Sequence, residues 1–309
     1  MGDVAERLPE DEGLRGADRR SVIVALFRGA GTGLDMVLHD WGLALGIGLV
    51  GTVTVVALLG PVLWPVSPYT VHLGQALRGP SASHPMGTDE LGRDVLARFL
   101  LGARISLAAG ASVAVASTVA GGILGGIAGI VGGFLEAAVM RAVDSVLAFP
   151  TLLLAVAVSM ALHPSVLSAS VGIAIASIPF FARLMTKEVL RLRHAVFVEA
   201  ATVMGGTSKY ILWRHIWPQT VPMTLVQISS LCGFAILTLA GLSFVGLGAQ
   251  PPTPEWGAMI TEGLAYVLTG AWWVSVFPGV GIMMTVVGLN LIADHGEAAL
   301  RSSRQGRAS

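Results

Sequence analysis

Charge and cysteine are two things this chain has little of. Only 12% of its 309 residues are Asp, Glu, Lys or Arg, and there is one cysteine, Cys232, inside an apolar run. A single thiol excludes an intrachain disulfide framework and a cysteine metal cluster. Basic and acidic residues balance at 19 each, so no bulk charge supports binding to nucleic acid. The seven histidines show no H-E-x-x-H or paired ligand spacing, which leaves no metal site to assign. "GGTSK" (205–209) has a lysine after a serine on a helix-prone stretch, where a phosphate loop needs G-x-x-x-x-G-K-[ST] after a strand. No catalytic constellation and no ATPase site follow from these residues. The first forty, "MGDVAERLPEDEGLRGADRR" onward, are polar and mixed in charge, and read as a flexible tail with no cleaved signal.

What is abundant is apolar surface and glycine. Residues of the AVILMFWYC set make up 54% of the chain, and 39 glycines accompany them, the profile of a membrane-embedded protein. A charge at the bilayer centre costs roughly 2.5–3.5 kcal/mol, so gaps between charges mark where the chain can cross. Six spans fit: 41–63, one within 105–133, 138–161, 167–185, 221–246 and 272–292. "HPS" at 163–165 divides the third from the fourth, and "GAQPPTPEWG" separates the last two. An all-α integral membrane bundle is the expected fold, since lipid leaves no water to satisfy open backbone. If the N-terminus is cytoplasmic, fifteen of the nineteen Lys and Arg fall on the inner side and only Arg78, Arg93, Arg98 and Arg104 outside. Both termini are therefore expected in the cytoplasm, with 1–40 and 293–309 as tails, 64–104 as an external segment and 105–292 as a five-helix core.

The insertion 186–219 faces the cytoplasm in that topology. "TKEVLRLRHAVFVEAATVMG" reads as helix, Gly205-Gly206 breaks it, and Thr207 caps a second short helix that stops at Pro218. Ala200, Ala201 and Gly205 permit close approach of another backbone, and Glu199 offers a carboxylate to an arginine. From the residues alone, such an elbow either docks a partner or lies on anionic lipid.

Elsewhere, Gly121, Gly125, Gly129 and Gly133 recur every four residues, a stripe for helix packing. Arg141 and Asp144 stand three apart, as a structural pair or at the mouth of a pathway. Pro150 and Pro179 are placed to kink spans three and four. In the external segment Thr88 is the expected cap of an interfacial helix, with Asp89 and Glu90 at its N-terminus and Leu91, Val95, Leu96, Phe99 and Leu100 on its apolar face. That helix and "QPPTPEW" either contact an external protein or anchor the second span.

Glu199-Ala200-Ala201, three residues, Gly205, and then "RHIWP" resemble the E-A-A-x-x-x-G loop of permease subunits in binding-protein-dependent ABC importers. "HPMGTDELGRDVLARFLLGARISL" (84–107), "MRAVDSVLAFPTLLLA" (140–155) and "LSFVGLGAQPPTPEWGAMI" (242–260) resemble the dipeptide, oligopeptide and nickel branch of that family, in the expected order. Trp217 and Gln219 depart from the Leu and Asn usual there. The resemblance is to the second permease subunit, and implies a type I ABC importer fold in the inner membrane, with half of a translocation pathway for di- or oligopeptides, nickel or glutathione. It implies that Glu199, Ala200, Ala201, Gly205 and Arg214 couple to an ATPase. If the external segment meets the binding protein rather than anchoring the second span, Thr88, Asp89, Glu90, Arg93, Asp94, Glu255 and Trp256 are the expected contacts. The implied partners are a homologous permease, two ABC ATPases that bind ATP and Mg, an extracytoplasmic binding protein and membrane lipid. A secondary transporter would show inverted repeats or mid-membrane ionisable residues.

Overall fold

A computed structural model describes residues 40–305, so the expected N-terminal tail, apart from Asp40, lies outside the described residues. Among these, all regular structure is helical, with one isolated bridge between Thr88 and Asp94. Helices α1 (Trp41–Leu63), α2 (Val95–Val131), α5 (Val166–Leu192) and α10 (Trp273–Gln305) are each long and apolar enough to cross a membrane, as is the continuous helical body Ser208–Phe244. A bent pair, α3 (Gly133–Leu147) and α4 (Thr151–Ala161), makes a sixth if counted as one span.

The first span has its expected bounds. Asp40 caps it, accepting from the amides of Gly42 at 3.0 Å and Leu43 at 3.2 Å, and also holds His295 of α10. Bonding to His295 and to these amides keeps the Asp40 carboxyl below its ordinary pKa. Pro61 has no N–H, which would orphan the Ala57 carbonyl. Arg104 of α2 fills the gap, donating to the carbonyls of Ala57 at 2.6 Å and Leu58 at 2.7 Å.

The second span is longer than its charge gap. Asp94, not Thr88, is the cap, accepting from the Ala97 amide at 2.7 Å, and α2 then runs 37 residues without a break. The separate interfacial helix expected over 84–104 is absent: 84–94 is folded loop, and 95–104 is the first part of α2. At 1.5 Å per residue α2 is about 55 Å long, well beyond the ~30 Å hydrocarbon core.

Gly121, Gly125 and Gly129 bring α2 and α5 together, running parallel. A Cβ on Gly125 would lie 2.1 Å from the Ala182 carbonyl oxygen, and one on Gly121 2.6 Å from that of Ile178. Thr186 donates to the Gly125 carbonyl at 3.0 Å across the seam. Gly133 does not belong to this stripe, because it and Gly132 both take positive φ (59° and 73°) and break the helix there.

The third span, where a kink is expected at Pro150, is bent by 86° between Leu147 and Thr151. Pro150 withholds an amide and pushes Phe149 away from helical geometry. The local pair of Arg141 with Asp144 does not form; Asp144 pairs instead with Arg183 of α5. Pro179 lies within α5, which continues past 185 because Thr186, Val189 and Leu192 are buried. Nor does Pro218 stop a helix: it lies at the start of α8 (Trp217–Phe244) inside the continuous body Ser208–Phe244, directly after a stretch wound as π-helix, Leu212–Ile216. The loop after α8 contains a further helix, α9 (Trp256–Val267).

Chain direction sorts the connections into two ends. Trp273 at the start of α10 donates to the Thr88 carbonyl at 3.0 Å, so the 64–94 and 245–272 connections share one end, the loop end. Asp40, His295, Gly132 and residues 193–216 share the other.

The loop end is locked by buried polar groups. Arg93 binds Asp89 at 2.6 Å and Glu90 at 3.0 Å, and Arg98 binds Glu262 of α9 at 2.7 Å and Asp89 at 3.4 Å. Burial pushes the Glu262 carboxyl up in pKa, against the pull of Arg98 and Arg93. Asp94 also accepts from Trp64 and holds His84 at 2.7 Å. Glu255 is fully buried and takes four donors: the hydroxyls of Ser106 and Ser243 and the amides of Gly257 and Ala258, at 2.8–3.0 Å.

Two stability outcomes follow. Gly125→Ala drives a methyl into backbone and is expected to destabilise by about 1–3 kcal/mol, while Gly126→Ala, whose Cβ would stand 3.5 Å from Trp217, is tolerated. Arg98→Ala leaves Glu262 and Asp89 short of a buried cation and is expected to cost about 3–5 kcal/mol. Glu90→Ala, at the edge of the same cluster, stays within about 1 kcal/mol. Thermal unfolding of the detergent-solubilised chain reads all four.

Candidate functional site: the elbow at 193–217

The chain leaves α5 at Arg193, turns through His194 and Ala195, and re-enters helix as α6 (Val196–Val203). The single helix expected from Thr186 to Gly205 is thus two pieces. Glycine ends the second. Gly205 takes φ 85°, its amide bonds the Thr202 carbonyl at 3.0 Å, and the Gly206 amide bonds that of Ala201 at 2.9 Å. This 5→2 and 6→1 pairing is a Schellman stop, which needs a left-handed residue at position 205. Thr207 then accepts from the Tyr210 amide at 3.3 Å, the cap its position predicts, opening α7 (Ser208–Ile211). A π-helical turn, Leu212–Ile216, joins α7 to α8 without a gap.

The underside of the elbow is a core of its own. Val198, Ala201, Ile211, Leu212 and Ile216 bury themselves against Met185, Val189 and Leu192 of α5, with Ile130 of α2 beside them. The elbow is thus seated on α5.

The outer face is different in kind. Val196, Glu199, Ala200 and Val203 fall at i, i+3, i+4 and i+7, one stripe of α6, and all are exposed. Val196 is 82% exposed, Val203 88% and Met204 82%, so apolar side chains stand at both ends of the stripe with a carboxylate and a methyl at its centre. Of the residues expected to act here, Glu199, Ala200 and Gly205 face outward, Ala201 is in the packed underside, and Arg214 is exposed beside Lys209 and Tyr210 along a shallow groove. Met204 was not singled out by sequence reasoning. An apolar residue next to a glycine turn carries no signal until the turn shows which way it points.

The second expected cluster is placed otherwise. Thr88, Asp89, Arg93, Asp94, Glu255 and Trp256 are buried by the chain's own atoms, and Glu90 alone of the set is partly exposed. Trp256 stacks on Phe99 at 5.4 Å and donates to its carbonyl. These side chains are spent on holding the loop end together, a use that the sequence pattern did not separate from surface contact.

Comparison with known proteins matches this architecture. The chain is 39% identical over 237 residues to a probable D,D-dipeptide transport system permease protein of Escherichia coli K12, covering 77% of this chain and 79% of that one. It is 38% identical over 250 residues to a dipeptide transport system permease protein of Alkalihalophilus pseudofirmus, with 81% and 82% covered. It is 43% identical over 216 residues to a glutathione transport system permease protein of Pectobacterium atrosepticum, with 70% and 71% covered. Residues 121–301, which hold the glycine seam, the bent pair and the elbow, match the family described as binding-protein-dependent transport system inner membrane component, and the chain belongs to that family.

Proposed function

We propose that this chain is one of two permease subunits of an ATP-driven importer of short peptides, glutathione among them, and that α6 docks on a cytoplasmic ATPase. The observation that carries the reading is the exposed stripe of Val196, Glu199, Ala200 and Val203 on an elbow whose underside is packed against α5. The small centre admits close contact, the carboxylate selects a basic partner, and the packed underside passes displacement into α5. In this reading the elbow end is cytoplasmic together with both termini, the bent pair is the third of six spans, and ATP and Mg are bound by the ATPases. The cargo class follows the named activities of the relatives. A binding protein would meet the loop end through its exposed parts, such as Glu90, while Thr88, Asp89, Arg93, Asp94, Glu255 and Trp256 shape that surface from beneath.

Topology is checked by thiol labelling in a Cys232→Ser background. Cysteine at Ser83 should react with an impermeant reagent from outside, and cysteine at Ser208 only after permeabilisation; reversed labelling sinks the orientation.

Coupling is checked at the turn. Gly205→Pro cannot take the positive φ and loses the bond to Thr202, while Glu199→Arg sets like charge against a basic partner. Both should abolish uptake with the chain still inserted, and co-purification of the ATPases should fall. Glu199→Ala should lose only part of the activity, since an exposed pair is worth under about 1 kcal/mol. Normal uptake by both mutants with ATPases retained would refute ATPase docking.

A further inference from the structure

A cavity of about 290 Å³ opens between α4, α5 and α8, at the lower edge of the ~300–1,000 Å³ typical of ligand sites. Its walls include Leu147 and Thr151, on either side of the break between α3 and α4, and Phe180, next to Pro179. The one broken helix pair, α3 and α4, therefore borders this hollow, and Pro179 of the unbroken α5 stands beside it. Discontinuous helices at membrane depth are tolerated where they border a cavity and not where they face lipid.

Four polar side chains line it: Thr151, Ser177, Gln227 and Ser230. Ser177 donates to the Ile173 carbonyl at 2.8 Å, the back-bond that lets a hydroxyl sit inside an apolar helix. Thr224 and Thr238 on α8 do the same, with Thr220 and Phe234. Gln227, Ser230 and Thr151 do not; among the described residues their side chains have no hydrogen-bond partner in the chain. Gln227 is ten residues into the 28-residue α8, roughly 15 Å along its axis, far from either end. Thr151, Gln227 and Ser230 are half-buried, so their polar groups stand open to the cavity, at a depth where lipid could not satisfy them.

The chemistry of the lining narrows what that is. No charged side chain lines the cavity, and the closest in sequence, Asp144 and Arg183, lie one turn from Leu147 and Phe180 and neutralise each other. A primary amide carries N–H donors and a carbonyl acceptor, so it can meet either the C=O or the N–H of a secondary amide, and the Ser230 and Thr151 hydroxyls can serve the other sense. Leu231, Phe180 and Phe234 supply apolar wall.

We propose that this cavity is the subunit's contact for cargo in transit, and that Gln227, with Ser230 and Thr151, hydrogen-bonds the peptide-bond amide of the cargo whatever side chains it carries. This rests on the permease reading above. It gives Gln227 a specificity role, accepting the group that all short peptides share, in a lining that offers no charged ligand to a bare cation.

The test uses the assembled transporter in proteoliposomes, with labelled alanyl-alanine and glutathione as probes. Gln227→Leu should lower the uptake rate of both by about tenfold, the worth of one to two neutral hydrogen bonds, with partner permease and ATPases co-purifying as in wild type. Gln227→Asn, which keeps the amide, should recover part of the loss. In a Cys232→Ala background, cysteine at position 227 should react with a charged, water-soluble thiol reagent, and saturating alanyl-alanine should slow that reaction. Wild-type uptake by Gln227→Leu, or a position 227 cysteine that never labels, overturns the proposal. Loss of the partner permease from the Gln227→Leu complex overturns it too, in favour of an amide that bonds the second subunit. A wild-type complex that takes up neither probe sinks the peptide reading itself, whereas uptake without any dependence on residue 227 sinks only this site.

Discussion

The contact on which the rest depends is the seam between α2 and α5. Without side chains at Gly121, Gly125 and Gly129 the two backbones close to within touching distance, and Thr186 ties them at the Gly125 carbonyl. In lipid no hydrophobic force holds helices together, so close packing and such bonds have to do it. From this seam α5 extends in both directions. Toward one end Val189 and Leu192 enter the core of the elbow; toward mid-depth Ser177 and Phe180 form a wall of the cavity. One rigid helix therefore touches both proposed sites, the physical requirement for a linkage between them.

The two ends of the bundle use polarity in opposite ways. At the loop end Asp89, Arg93, Arg98, Glu255 and Glu262 turn inward and satisfy one another or nearby hydroxyls and amides, making a fixed cap on α2, α9 and α10. At the elbow end Glu199 and Arg214 point outward over an apolar base. Three carboxylates, those of buried Asp89 and half-buried Glu90 and Glu262, meet two guanidiniums in the loop-end cluster, which is why removal of one arginine is expected to be felt more than removal of the outermost acid.

Much of this was legible in the residues, and the failures share a cause. Charge gaps located the five helices long and apolar enough to cross and the bent pair, and the first of them had its bounds, because lipid cost acts on composition. The glycine turn and the Thr207 cap were readable since both are local. Spacing misled wherever a distant partner decided. Thr88 and Asp94 are equally good caps by type, but Thr88 is bonded to the backbone of Gln75 and Arg78. Asp144 has Arg141 three residues away and chooses Arg183 from another helix. Gly133 continues a four-residue period into a backbone that is no longer helical. The cavity was invisible, because Gln227 is an ordinary polar residue until the absence of a partner is seen.

The outer face of α6 favours, for the proposed role, one of the two uses that the sequence left open for the elbow. A helix lying on a bilayer carries an unbroken apolar stripe, with Lys and Arg along its flanks to meet anionic headgroups. On α6 the stripe is interrupted at its centre by Glu199, and no Lys or Arg lies between Val196 and Val203. Pressed against an anionic surface, that carboxylate would be both buried and repelled. Against a protein cleft with a basic floor it becomes the one charged contact, and Val196, Val203 and Met204, otherwise held in water at an energetic cost, supply the apolar rim. The same stripe explains the pattern of small residues: Ala200 sits beside Glu199 on the outer face, where a larger side chain would hold the cleft away from the carboxylate, while Ala201 packs inward on Ile211 and its neighbours. Protein docking is thus the use in which the charge, the apolar rim and the small centre each have a role.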